Sequence, residues 1–295
     1  MATIPTINTE IADKLQEAAD LLAHQGANPF RVNAYRRAAD TLRHLPHDVR
    51  DIVARAGIAG LVVLPTIGAS IANAICEMVR TGRWGQLERL RGTLDPERLF
   101  QTIPGLGPVL ARRIHDTLQI DSLEALEMAA YDGRLESVPG IGPRRAAMLR
   151  ATLAALLGRP RGWQQRPLRE PDVATLLDVD HEYRQKAERG KLRTIAPRCF
   201  NPTGEAWLPV LHTRRGPWHF TVLYSNTARA HELGRTHDWV VLYFFHDADP
   251  REGQRTVVTE SHGALAGKRV VRGREAECRA YYTAQKATSA ELIEP

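Results

Sequence analysis

The sequence has few cysteines, few lysines and no hydrophobic run long enough to cross a bilayer. Its three cysteines, Cys76, Cys199 and Cys278, lie far apart and form no Cys-x-x-Cys pair. The sequence therefore offers no zinc-ribbon or dithiol redox motif, and its cysteine usage suits a reducing compartment. The N-terminus lacks the charged and apolar segments of a secretory signal, so we expect a cytoplasmic protein with no membrane partner.

Arginine supplies most of the positive charge, since only five of the 40 basic residues are lysines. The 34 acidic residues leave a formal net charge of +6, which favours a polyanionic partner. Residues 1–157 hold 18 basic and 17 acidic residues, whereas residues 158–295 hold 22 and 17. A polyanion bound by the first part of the chain would therefore be held by local geometry more than by a broad basic field.

A Pro-Gly-x-Gly pattern occurs twice, as Ile-Pro-Gly-Leu-Gly at residues 103–107 and Val-Pro-Gly-Ile-Gly at residues 138–142. A weaker copy, Leu-Pro-Thr-Ile-Gly, occupies residues 64–68, and a helical pattern follows each copy. Such a turn leaves backbone N–H groups unpaired at the positive end of the helix dipole, where they can bind an anion such as phosphate. Glycine allows a nucleic-acid backbone to approach closely. The internal repeat predicts a DNA-binding region.

The stretch Asn-Pro-Phe-Arg-Val-Asn-Ala-Tyr-Arg-Arg-Ala-Ala at residues 28–39 precedes these three turns. This order resembles the N-terminal helix-hairpin-helix half of family X DNA polymerases, which include bacterial PolX and DNA polymerase beta, over about residues 8–157. The resemblance implies that Arg31 and Tyr35 contact the 5′-phosphate side of a DNA gap or nick. It also implies that a Na⁺ or K⁺ ion binds backbone carbonyls of the first two hairpins, at Val62, Leu64, Ile67, Gln101, Ile103 and Leu106.

The predicted DNA-binding residues are the turn glycines, nearby polar and basic residues, and the densest basic stretch of the chain. They are Arg31, Tyr35, Arg36, Gly68, Ser70, Gly105, Gly107, Arg112, Arg113, Gly140, Gly142, Arg144, Arg145, Lys268, Arg269 and Arg272. Each has a structural alternative: a turn that only separates two helices, a core aromatic at Tyr35, or arginines on a solvated face. Those alternatives remain open at the level of sequence.

Two departures from the family argue against its chemistry. The lysine that forms a Schiff base in the family's lyases corresponds to Ala74, and a neighbouring pocket lysine corresponds to Ser70. Arginine cannot replace that amine because its guanidinium stays protonated. The second half also lacks the Gly-Ser turn that accompanies the polymerase Asp-x-Asp pair; its two such pairs, Asp178/Asp180 and Asp247/Asp249, lie outside that context. We expect neither the lysine-based lyase activity of the family nor polymerase activity.

The expected fold class is α+β and multi-domain, with an all-α helix-hairpin-helix half followed by a separate α+β domain. The predicted parts are a small helical domain with the first hairpin, a tandem hairpin domain, a basic linker rich in proline and glycine, an α+β domain and a disordered tail. Their bounds are 1–92, 93–157, 158–171, 172–286 and 287–295.

Two functions follow from the sequence. The first is a structure-specific DNA-binding protein of repair or recombination, which binds gapped, nicked or 5′-phosphorylated DNA and contacts repair or replication proteins through its C-terminal domain. The second is a nuclease or lyase with its active site in that domain and, in that case, a divalent metal. Its candidate side chains lie at strand ends and loops: Glu205, His212, His237, Asp238, Glu260 and His262.

Overall fold

The computed structural model describes residues 6–157 and 169–291. Most of the predicted basic linker (158–171) lies outside this range, as do residues 292–295 of the predicted tail. Within these ranges, no helix is both long and apolar enough to cross a membrane.

Five helices form the first unit of the N-terminal half: α1 (Thr6–His24), α2 (Pro29–Arg43), α3 (Val49–Val62), α4 (Ala69–Thr81) and α5 (Gly85–Arg91). The Asn28 side chain caps α2 by accepting from the Phe30 amide, and Pro29 occupies the first helical position. Helix α3 is kinked at Gly57, whose φ of 57° is non-helical. The apolar stripes of α1 and α2 meet in the core of this unit, with Leu15, Leu22 and Leu42 fully buried.

Four helices form the second unit: α6 (Pro96–Phe100), α7 (Pro108–Leu118), α8 (Leu123–Tyr131) and α9 (Pro143–Leu156). A 3-10 turn at Arg134–Ser137 connects α8 to the turn before α9. This unit has its own core, which includes Phe100, Ile114 and Leu149. The N-terminal half therefore contains two separate hydrophobic cores.

The C-terminal half is a six-stranded antiparallel sheet with its strands in chain order. It contains α10 (Val173–Glu188), β1 (Arg193–Ile195), β2 (Leu208–Arg215), β3 (Trp218–Tyr224), α11 (Ala228–Glu232), β4 (Val240–His246), β5 (Asp249–Thr259), β6 (Arg269–Val271) and α12 (Glu275–Glu291). Helix α12 includes residues 287–291, which fall in the predicted tail.

The sheet is covered on both faces. On one face, the Tyr183 hydroxyl of α10 donates to the Pro209 carbonyl of β2 (2.9 Å) and accepts from the Tyr224 amide of β3 (2.8 Å). The opposite face presents a row of residues in register across four strands: His212, Thr221, Tyr243 and Gln254. Three of them bond residues of the N-terminal half: His212 to Gln25, Tyr243 to Asp121 and Gln254 to Gln119. The α+β class is confirmed, but the sheet packs directly against the hairpin half.

Candidate nucleic-acid interface

The three repeated turns have the same backbone geometry. In each, the fourth residue donates its amide to the first carbonyl: Ile67 to Leu64 (3.3 Å), Leu106 to Ile103 (3.1 Å) and Ile141 to Val138 (3.0 Å). The third residue has a left-handed φ in every copy, at Thr66 (66°), Gly105 (87°) and Gly140 (92°). Glycine suits this conformation, so the weaker copy is the one that places threonine there.

The last glycine of each turn caps the following helix and has a different role. Gly68, Gly107 and Gly142 have extended backbones with φ of −79°, −81° and −95°, which any residue can adopt. All three are exposed, and a Cβ built on any of them meets nothing within 4 Å. Internal packing therefore does not require glycine here. The open space lies over the first amides of helices α4, α7 and α9, where an anion would bind.

The fourth residue anchors each turn. Ile67, Leu106 and Ile141 are buried in the cores of their units, so hydrophobic burial fixes the direction in which the helix N-termini face. This local arrangement follows from five consecutive residues, and sequence reasoning could therefore find it.

Basic residues distinguish the third turn from the others. The second residue after the cap glycine is Ser70 in the first copy, Val109 in the second and Arg144 in the third. Arg144 and Arg145 are exposed in the first turn of α9, and Arg145 donates to the Gly140 carbonyl (2.7 Å). Because cations at this end oppose the helix dipole, a bound anion would offset an unfavourable arrangement.

Two arginines of α7 also lie exposed near the turns. Arg112 pairs with Glu97 (3.3 Å), and Arg113 donates to the Pro139 carbonyl of the third turn (3.4 Å). These exposed pairs contribute little to stability, so both guanidinium groups can exchange their partners for a phosphate at low cost.

The surface implied for a 5′-phosphate is partly occupied by other residues. Tyr35 is only 4% exposed: it packs on Trp84, and its hydroxyl donates to Gln86 Oε1 (3.2 Å). Arg31 lies against the Phe245 ring of the sheet at 5.3 Å, and with Ser70 it lines a small pocket of about 40 Å³ that Glu252 of the sheet also lines. That volume suits a few water molecules rather than a sugar-phosphate group. The expected contact of Tyr35 with phosphate is therefore corrected to an internal one.

The other predicted basic DNA contacts lie near acidic or aromatic side chains. Arg36 is half exposed and pairs with Asp20 (3.1 Å), and Lys268 lies 5.4 Å from the Tyr282 ring. Arg272 is exposed, with Glu260 3.4 Å away.

Arg269 has a structural position that contradicts its predicted role. Its guanidinium bonds both Asp180 oxygens (2.6 and 3.0 Å) and Asp238 Oδ1 (2.6 Å). The Asp180 side chain is 1% exposed and the Arg269 side chain 12% exposed. This pair ties α10 to β6, and the expected DNA contact of Arg269 is corrected.

The predicted monovalent-ion site stays a prediction. The Leu64 and Ile103 carbonyls each accept the amide that closes their own turn. The other carbonyls of the predicted set belong to Val62, Ile67, Gln101 and Leu106, which lie in or beside the same turns.

The candidate catalytic side chains of the C-terminal half do not form one cluster. His212 is half-buried in the interface, where Nε2 donates to Gln25 Oε1 (3.0 Å), and desolvation together with Arg31 and Arg89 lowers its pKa to about 3. Asp238 bonds Arg269, whereas Glu260 lies near Arg272. In the ranges that the structure describes, no group of three or more His, Cys, Asp or Glu side chains is placed to hold a metal ion.

A buried polar cluster joins the halves, and sequence analysis missed it. Arg89 of α5 is 4% exposed and donates to both Glu252 oxygens (2.8 and 3.2 Å). Its guanidinium carbon lies 3.4 Å from the centre of the Tyr243 ring, and the Tyr243 hydroxyl donates to Asp121. Burial raises the pKa of Asp121, and burial and Asp121 together raise the pKa of Tyr243. More than 120 residues separate Asp121 from Tyr243, so no local pattern connects them.

The three equivalent turns define the N-terminal half as a set of helix-hairpin-helix motifs. Residues 6–84 match the family described as "Helix-hairpin-helix domain", and residues 97–155 match "SAM-like Helix-hairpin-helix tandem". The "DNA polymerase/3'-5' exonuclease PolX" of Bacillus subtilis (strain 168) is 26% identical over 137 residues. This alignment covers 46% of the chain and 23% of the relative.

The N-terminal half is therefore similar to the helix-hairpin-helix half of PolX-like proteins, as the sequence predicted. Both family matches support DNA binding. The chain spans less than a quarter of the PolX relative's length, so the relative's own activities do not transfer with the alignment.

Proposed function

We propose that this protein binds the sugar-phosphate backbone of gapped, nicked or 5′-phosphorylated DNA and acts in DNA repair or recombination. The observation that carries the proposal is the open, exposed space at Gly68, Gly107 and Gly142, each at the N-terminus of a helix of at least 11 residues. Backbone amides at these positions contact phosphate oxygens without reading bases, so the shape of the DNA would determine specificity.

The division of the turns between two cores favours interrupted DNA. The first turn belongs to the first core, whereas the second and third belong to the second core. A nick or gap lets a duplex bend more easily than continuous stacking does, so both units can contact backbone on either side of the break.

The C-terminal half supports a binding role better than a catalytic one. Its two Asp-x-Asp pairs are engaged with arginines: Asp178 with Arg215 (2.6 Å), Asp180 with Arg269, Asp247 with Arg214 (2.8 Å) and Asp249 with Arg251. Two-metal chemistry needs such carboxylates directed at the metal ions. We propose that this half fixes the position of the hairpins and contacts repair or replication proteins.

The test is the double variant Gly107→Ser/Gly142→Ser. Serine is a favourable N-cap in an extended backbone, so its hydroxyl would accept the helix amides and stability should stay equal or rise by about 0.5 kcal/mol. The same hydroxyl would occupy the phosphate position. Affinity for 5′-phosphorylated gapped DNA, measured by fluorescence anisotropy, should fall about ten-fold or more because charge-assisted hydrogen bonds are lost.

The matched control is Gly190→Asn at the C-terminal end of α10, where φ is +62° and the space is open. Asparagine tolerates this conformation, and DNA affinity should be unchanged. Retained affinity in the folded double serine variant would contradict the backbone-amide mechanism. Equal affinity of the wild-type protein for gapped and blunt duplexes would contradict the proposed structure specificity.

A further inference from the structure

A second cavity lies between the hairpin half and the sheet, apart from the helix N-termini. Its volume is about 300 Å³, and it is lined by the α5–α6 connection, the end of α7 and strands β2 to β5. This is at the lower end of the range of about 300–1,000 Å³ for small-ligand pockets. The space suits one ring system rather than a dinucleotide-sized molecule.

The walls of the cavity are apolar and its rim is aromatic. Leu208, Leu223 and Val241 from three adjacent strands form part of the wall. Phe200 lies at the rim, where it is 51% exposed and stacks on His231 with ring centres 4.7 Å apart. These surfaces favour a flat, apolar-faced ligand over a flexible polar one.

Phe200 also has an unusual backbone, with a left-handed φ of 54°. A bulky side chain rarely adopts this conformation, and such strain concentrates at ligand-binding positions. Asn226 supports this segment by donating to the Cys199 carbonyl (2.9 Å), while its own amide oxygen accepts from His231 Nε2 (2.7 Å). The rim aromatic is therefore held in place by its neighbours.

Polar side chains also line the cavity. Asp121 and Arg89 are among them, and they are bonded across the interface to Tyr243 and Glu252 respectively. Asp121 Oδ1 and Arg89 Nε have no hydrogen-bond partner, but both atoms are buried behind the cavity surface, so a ligand in the cavity would be held by its apolar and aromatic walls. Gln254, which bonds the Gln119 carbonyl (3.0 Å), lies on the same wall.

The charges around the cavity favour a neutral ligand. Arg89 is neutralised by Glu252, while Asp95 and Glu97 line the cavity and would repel an anion. Burial lowers the pKa of His115, which keeps that ring neutral. Burial also raises the pKa of the Cys199 thiol, so the thiol remains protonated and unreactive. The cavity therefore suits reversible binding of an uncharged molecule and not of a phosphate.

We propose that this cavity binds a neutral, flat heterocycle of nucleobase size, which stacks on Phe200 and lies against the apolar wall. The base can come from a free nucleoside or from DNA, as a base turned out of the helix. The DNA source rests on the proposed function. DNA bound at the second hairpin would lie near the cavity, because Glu97 on the cavity wall pairs with Arg112 next to that hairpin turn.

The test uses Phe200→Gly, with Phe200→Tyr as the matched control. Glycine accepts the left-handed backbone, so the variant should fold at least as stably as wild type while losing the stacking ring. Tyrosine keeps the ring. Two probes separate the sources: 2-aminopurine riboside as the free nucleoside, and gapped DNA carrying 2-aminopurine opposite the gap. Binding is followed by the fluorescence of the base.

Wild type and Phe200→Tyr should change the fluorescence of at least one probe, and Phe200→Gly should bind that probe about ten-fold more weakly. A response to riboside identifies a nucleoside site, whereas a response to DNA alone identifies an everted base. Equal responses of all three proteins, or none to either probe, would overturn the proposal.

The hairpin and cavity proposals fail separately. If the riboside alone responds, Phe200→Gly should leave affinity for gapped DNA unchanged, because the hairpins bind the DNA backbone. Gly107→Ser/Gly142→Ser should weaken both DNA complexes while leaving any riboside response intact. A DNA-binding defect in Phe200→Gly that Phe200→Tyr shares would contradict the stacking role.

Discussion

The ion pair between Arg89 and Glu252 predicts a large stability loss in Glu252→Gln. The substitution removes the carboxylate charge but leaves the guanidinium, whose side chain is 4% exposed, without its counter-ion. Breaking a buried pair in this way costs about 3–5 kcal/mol. Because the Glu252 side chain is itself 21% exposed, water can reach part of the site, and we expect a loss near the lower limit, about 3 kcal/mol.

Urea unfolding measures this loss when it is followed both by tryptophan fluorescence and by far-ultraviolet circular dichroism. Trp84 is buried in the N-terminal half, and Trp207 and Trp218 lie in the C-terminal half, so coincident transitions would show that the halves unfold together. The control is Asp13→Asn, which breaks a pair whose carboxylate is 64% exposed and should cost less than about 1 kcal/mol. Equal losses in the two variants would refute the reasoning.

Two further predictions concern His212 and Arg269. Because His212 has a folded pKa of about 3 and an ordinary value of 6.5, the unfolded chain takes up its proton first, and stability falls as pH falls through this window. The free energy of unfolding of the wild-type protein, measured by urea titration, should fall by about 1.4 kcal/mol per pH unit more than that of His212→Gln between pH 6 and 4. If the two free energies fell in parallel with pH, the prediction would be wrong. Arg269→Met should lower the free energy of unfolding by about 3 kcal/mol, because the buried Asp180 carboxylate keeps only its longer contact with Arg184 (3.3 Å), while DNA affinity in anisotropy titrations stays unchanged. If the folded Arg269→Met variant lost DNA affinity, Arg269 would be a DNA contact after all.

The hairpins could be predicted from the sequence because their information is local. A turn, a buried anchor and a cap glycine occupy five consecutive residues, and each residue type has a physical reason at its position. The long helices carry apolar residues at helical spacing, and that spacing is also a local property of the sequence. Helix α6 and strands β1 and β6 contain only three to five residues each, which is too short for a clear periodicity.

The interface could not be predicted because its partners are distant in the chain. Arg89 reads as one more surface arginine of an amphipathic helix until Glu252, 163 residues later, is placed against it. His212 similarly reads as a strand-end histidine with catalytic potential. Its bonds to Gln25 and Thr221 give it a structural role instead, and only the tertiary arrangement shows this.

At the second residue after its cap glycine, the second hairpin lacks the exposed cation that the third carries, and this difference predicts a gain of affinity. Val109 is 65% exposed at the position equivalent to Arg144, two residues after the cap glycine. Val109→Arg places a guanidinium beside the proposed phosphate without disturbing the core. One added phosphate contact should steepen the slope of log K against log salt concentration by about 0.9, and affinity should rise several-fold at low salt.

The control variant, Leu233→Arg, adds the same charge at an exposed apolar residue of the C-terminal half and should leave that slope nearly unchanged. Equal gains in both variants would attribute the effect to net charge, and the second hairpin would then have no direct part in binding DNA.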